Sequence, residues 1–112
     1  MVGVENDPAR ARAASARAPD ARVLAGSGAA LARLGLPAGH FDRVLCVDAA
    51  YHLSPRAAFL QGAWRLLRPG GTLAYTDLVA ERPRPRLRAA ARLCALDPAD
   101  VLQGEEAQRE RL

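Results

Sequence analysis

FDRVLCVDAAYHL, Phe41 to Leu53, sets four consecutive apolar residues, Val44 to Val47, directly before an aspartate, two alanines, a tyrosine and a histidine. An uninterrupted apolar run of this length predicts a strand over 43–48 buried on both faces, as in a parallel sheet covered by helices. In open α/β sheets ligands bind outside the carboxyl ends of the strands. The abrupt change to groups that bind and titrate therefore marks the mouth of a candidate pocket.

The flanking segments extend the same pattern. Ser54-Pro55 opens a helix in which Leu60, Ala63, Trp64 and Leu67 fall at i, i+3, i+4 and i+7, so a core face containing Trp64 is expected. Arg68-Pro69-Gly70-Gly71 ends that helix, because proline cannot continue it and glycine permits the positive φ of a tight exit. TLAYTDL, 72–78, follows as a strand. Upstream, MVGVE, 1–5, reads as a strand, and Asn6-Asp7-Pro8 starts a helix capped by Asp7 and running to about Ala18, before Pro19. ARVLAG, 21–26, is again a strand, broken at Gly26-Ser27-Gly28 and followed by an irregular or briefly helical connection. Downstream, Pro83 and Pro85 mark a linker. Helices are expected over 87–96, briefly from Asp97-Pro98, and from Gly104 to Leu112. The order strand, helix, strand, strand, helix, strand predicts an α/β doubly wound sheet with right-handed crossovers.

Composition bounds the alternatives. The chain has 112 residues, enough for one domain or part of one, with 50% hydrophobic and 25% charged residues, which is globular rather than disordered. All basic residues are arginine and the net charge is +4, yet only Arg82 to Arg92 forms a dense run. Nucleic-acid binding is thus a subordinate alternative. Cys46 and Cys94 lack any CxxC or histidine partner at ligand spacing, so both read as small buried hydrophobes and no metal is expected. Nothing at the amino terminus resembles a signal peptide, and no apolar run approaches the ~20 residues of a membrane span. A cytoplasmic location is the expectation.

FDRVLCVDAAYHL and RLLRPGGTLAYTDL, separated by one amphipathic helix, together resemble the class I S-adenosylmethionine-dependent methyltransferases, particularly those acting on small molecules. In that family the first segment is the fourth strand with the loop over the methyl donor, and the second is a helix end, a Pro-Gly-Gly turn and the fifth strand. VGVENDP looks like the family's second strand ending in an acidic residue. The resemblance implies that Glu5, with Asn6 beside it, meets the ribose hydroxyls of S-adenosyl-L-methionine. VLAGSGAAL sits where the family often has a Gly-Asp-Ala turn at the adenine; Ser27 stands in the acidic place, so its hydroxyl and the backbone at Ser27 and Gly28 would serve. Asp48, Ala49 and Ala50 would line the donor pocket, and Tyr51 and His52 would face the acceptor.

The resemblance also implies segments beyond this stretch: a first strand with a glycine-rich loop before Val2, central in the family's sheet between the strands at 1–5 and 43–48, and a carboxyl-terminal hairpin after Leu112. The chain is accordingly read as a partial methyltransferase domain over 1–112, with a cofactor-binding sheet core over 1–82 and a helical extension over 83–112. Unpaired strand edges would then have to find partners or stay wet, by oligomerisation among other ways.

The implied function is methyl transfer to an oxygen, nitrogen or carbon of a small molecule. The alternatives are a truncated or degenerate, non-catalytic relative and an arginine-rich nucleic-acid-binding module. At residue level, His52 is a candidate general base because imidazole titrates near neutral pH, against a histidine that merely shapes the turn. Asp48 either touches cofactor or caps the turn, and Tyr51 either meets the acceptor or packs on the helix. Trp64 is expected in the core, and Asp77 and Glu81 are expected as solvated loop carboxylates.

Overall fold

The computed structural model describes residues 1–78; the expected linker at Pro83 and Pro85, the three helices beyond it, Glu81 and Cys94 lie outside them. Within 1–78 the elements are β1 (Val2–Glu5), α1 (Pro8–Arg17), β2 (Arg22–Ala25), a 3-10 segment (Gly28–Leu34), β3 (Phe41–Cys46), a single 3-10 turn (Ala50–His52), α2 (Arg56–Leu66) and β4 (Leu67–Tyr75). The order is the one read from the sequence. Asp7 caps α1 as expected: its Oδ1 accepts the N–H groups of Ala9 at 2.7 Å and Arg10 at 3.0 Å. These bonds satisfy two donors that the first turn of a helix otherwise leaves without partners.

The strands pair in parallel, but in two separate ribbons. β1 lies on β2 with Val2 opposite Arg22 and Glu5 opposite Ala25, joined through α1. β3 lies on β4 with Val44 opposite Leu73 and Cys46 opposite Tyr75, joined through α2. Among the described residues β1 and β3 are each bonded on one side only. They face each other across a cavity of about 700 Å³ lined by Val2 to Glu5 on one wall and by Phe41 and Arg43 to Cys46 on the other. The family resemblance likewise implies that 1–5 and 43–48 are not direct neighbours in the sheet.

The core gathers under α2. Phe59, Leu60, Ala63 and Leu66 pack with Leu31, Leu36 and Ala50, and Val2, Val4, Leu24, Val44, Cys46, Leu73 and Tyr75 close over them from the strands. Full burial of a side chain such as Leu60 contributes about 1.5–3 kcal/mol, and α2 supplies four of the nine buried hydrophobic residues among those described.

Four expectations need correction. Trp64 is 66% exposed rather than in the core. The buried positions are 56, 59, 60, 63 and 66, and Trp64 lies one residue, about 100° of helix, off that stripe. Leu67 has already left the helix and so cannot define its face. The strand expected at 43–48 begins and ends two residues earlier, and it is not buried on both faces: Leu45 and Val47 are each 69% exposed, while Val44 and Cys46 point into the core, the alternation of a strand covered on one side. Finally, Pro69-Gly70-Gly71 does not separate helix from strand. Phe41 pairs with Leu67 and Arg43 with Thr72, so the Pro-Gly-Gly stretch is looped out inside β4, with Gly70 at φ 77° where a side chain would be strained.

The placement of the core yields a contrast measurable by denaturant unfolding: Leu60→Ala destabilises the chain by about 2–5 kcal/mol, whereas Trp64→Ala changes it by no more than about 0.5 kcal/mol.

Candidate active site

The carboxyl ends of β1, β2 and β3 all open on the cavity between the two ribbons. Six of the residues singled out in the sequence line it: Glu5, Asn6, Ser27, Gly28, Ala49 and His52. Asp48 and Tyr51 do not belong to its lining. Ala50, expected beside Ala49, is fully buried in the core against α2 and does not line this cavity.

Glu5 ends β1 and carries the most defined electrostatics of the group. Its Oε1 accepts the Asp7 N–H at 2.9 Å and pairs with the Arg10 guanidinium at 2.9 Å, and Arg10 also reaches Asn6 Oδ1 at 3.2 Å. The Arg10 contact, followed by the Asp7 amide, holds the Glu5 carboxyl below its ordinary range, while the Arg10 and Ala9 amides do the same for Asp7. Both contacts of Glu5 fall on one oxygen, which leaves Oε2 as an acceptor on an ionised group. Arg10 also lines the cavity. Its position five residues after Glu5, in the first turn of α1, is the signal in the sequence that could have found it.

At the end of β2, Ser27 is spent locally: its Oγ accepts the Ala29 N–H at 3.1 Å and caps the 3-10 segment. Gly28 lets Leu53 approach, since a Cβ there would stand 2.9 Å from Leu53 Cδ1. The turn at 26–28 and the loop after β3 thus touch across the mouth of the cavity.

Beyond β3, Asp48 takes a left-handed φ of 51°, which aspartate tolerates better than most residues. Its N–H donates to Thr76 Oγ1 at 2.7 Å. The rings of Tyr51 and His52 lie 4.6 Å apart, tilted by 56°. Cys46, on the cavity wall, is an unpaired thiol that burial pushes up, so it stays protonated and is no nucleophile at neutral pH. Asp77 is not the solvated carboxylate expected: it is buried and ion-paired to Arg56 in the first turn of α2. An arginine four residues before Leu60 and seven before Ala63, on the apolar stripe, was the sign that a buried carboxylate would have to meet it.

Residues 1–75 match the family model described as a methyltransferase domain. The chain belongs to that family, and with it to the class I S-adenosylmethionine-dependent methyltransferases. Among curated proteins it is 38% identical over 82 residues to the erythromycin 3''-O-methyltransferase of Saccharopolyspora erythraea, an alignment covering 70% of this chain and 27% of that one. Among solved structures, an arsenic(III) S-adenosylmethionine methyltransferase from Chlamydomonas reinhardtii superposes with a TM-score of 0.69 at 28% identity, over 83% of this chain and 35% of the other. A protein from Galdieria sulphuraria assigned as a sarcosine dimethylglycine methyltransferase gives a TM-score of 0.80 at 15% identity, over 98% and 42%; at that identity the likeness concerns the fold. The chain spans about a quarter of the length of the curated relative it matches and less than half of these two structures.

Because Glu5 and Asp7 titrate at depressed values when folded, their contribution to stability is fully present above their ordinary values of 4.5 and 3.8 and is lost as the pH falls through the folded ones. Denaturant midpoints measured from neutral pH down to about pH 3 should therefore drop on the acid side, and less so in the Glu5→Gln, Asp7→Asn variant.

Proposed function

We propose that this chain forms part of an S-adenosylmethionine-dependent methyltransferase that methylates a hydroxyl oxygen of a small molecule. The observation that carries the reading is the convergence of Glu5, Asn6, Ser27, Gly28, Ala49 and His52 on one cavity at the carboxyl ends of three parallel strands. Oxygen, rather than nitrogen or carbon, is favoured by the 38% identity to an O-methyltransferase.

The residues present fit the cofactor. Glu5, ionised and with Oε2 available, is the acceptor for two ribose hydroxyls, held in place by Arg10 and the Asp7 amide. Asn6 lies beside it. The backbone at Gly28 and the edge of Ser27 border the adenine, the Ser27 hydroxyl being engaged with Ala29. Ala49 keeps the wall at the methyl group small, and Asp48 turns the chain there. Bound S-adenosylmethionine supplies an electrophilic methyl on its sulfonium. The chain's own part is to align the acceptor and keep water out. His52 accepts the hydroxyl proton, and the Tyr51 ring packs against the His52 ring from outside the cavity lining.

The edges of β1 and β3 that line the cavity take up a further strand in this reading, by oligomerisation among other ways. A cytoplasmic location accords with the unpaired Cys46 thiol. No helix among the described residues is long and apolar enough to cross a membrane.

Calorimetric titration with S-adenosylhomocysteine tests the proposal. Saturable binding with Kd of about 1–100 μM, weakened at least about tenfold in Glu5→Ala, is expected. A folded chain with no binding would support the non-catalytic alternative instead.

A further inference from the structure

The segment between β3 and α2, residues 48–55, carries Ala49, Tyr51 and His52 and is gripped at both ends by two consecutive residues past β4. At its start the Asp48 N–H donates to Thr76 Oγ1 at 2.7 Å. Just past its end, Arg56 pairs with Asp77, their side chains only 3% and 5% exposed. Between these anchors the backbone closes one 3-10 turn, with the His52 N–H on the Ala49 carbonyl at 3.0 Å and the Leu53 N–H on the Ala50 carbonyl at 2.9 Å. The fixed turn sets Ala49, His52 and Leu53 into the cavity wall.

A buried ion pair is a poor stabiliser, since desolvating both charges offsets their attraction, and well-packed apolar residues in their place often hold a fold as well. What such a pair provides is register: one geometry satisfies both groups. We propose that Arg56 and Asp77 are positioning residues that lock the 48–55 loop onto the end of β4, setting Ala49 and His52 at the cavity rather than holding the fold together. The meaning of that loop for the acceptor rests on the methyltransferase reading; its geometry does not.

The test compares the full chain with the double variant Arg56→Met, Asp77→Leu, which removes both charges and keeps apolar bulk, and with Arg56→Lys, which keeps the charge. Native-state hydrogen exchange is read residue by residue. In the double variant the amides of His52 and Leu53 exchange at least about tenfold faster while those of the β3–β4 ladder keep their rates, and the melting temperature does not fall. Arg56→Lys keeps His52 and Leu53 within about threefold of the parent. S-adenosylhomocysteine affinity drops about tenfold in the double variant only. Unchanged protection at His52 and Leu53, an equal loss across the β3–β4 ladder, or a double variant that does not fold would each overturn the proposal. A parent chain that binds no S-adenosylhomocysteine would remove the methyltransferase reading and leave the exchange pattern to decide this one.

Discussion

The pairing of β3 with β4 beneath α2 is the contact from which the rest of the structure is hung. The crossover brings Phe59, Leu60, Ala63 and Leu66 down on Val44, Cys46, Leu73 and Tyr75, and the 3-10 segment and β1–β2 attach to the same cluster through Leu31, Leu36, Val2, Val4 and Leu24. Parallel strands require such a long connection, and the helix within it buries the sheet face that the strands alone would leave wet. The looped-out Pro-Gly-Gly stretch lets β4 begin immediately at the end of α2 without losing register further along.

The same pairing aims the chemistry. Each ribbon pairs its strands in parallel, and the ends of β1, β2 and β3 bring Glu5, Ser27 and Ala49 to one cavity. The one-sided bonding of β1 and β3 makes the walls of the cavity partly backbone, with polar groups that need water, a ligand or a strand. At the strand ends the lining includes short side chains and backbone, Asn6, Ser27, Gly28 and Ala49, beside the charged or titratable groups of Glu5, Arg10 and His52.

Much of this was legible in the sequence, and the parts that were not share a cause. Strand and helix order followed from Asp7-Pro8, Gly26-Ser27-Gly28 and Ser54-Pro55, which act locally and need no partner to be read. The cavity residues at 5, 6, 27, 28, 49 and 52 were legible through the family resemblance carried by the strand-end motifs, which also implied Asp48 and Tyr51, neither of which lines the cavity. Trp64, Leu45 and Val47 were misplaced because apolar character alone does not say which face receives a covering layer. Arg10 and the Arg56–Asp77 pair required tertiary proximity: Asp77 stands 21 residues after its partner, and only the β3–α2–β4 crossover brings them together.

The central claim is that the strand ends form one ligand site on this chain. Backbone amide shifts recorded while S-adenosylhomocysteine is added test it most directly. The account predicts perturbations concentrated at Glu5, Asn6, Ser27, Gly28, Ala49 and His52. Perturbations centred instead on His40, Asp42 and Arg68 at the opposite ends of the strands, or no perturbation at saturating ligand, would contradict it.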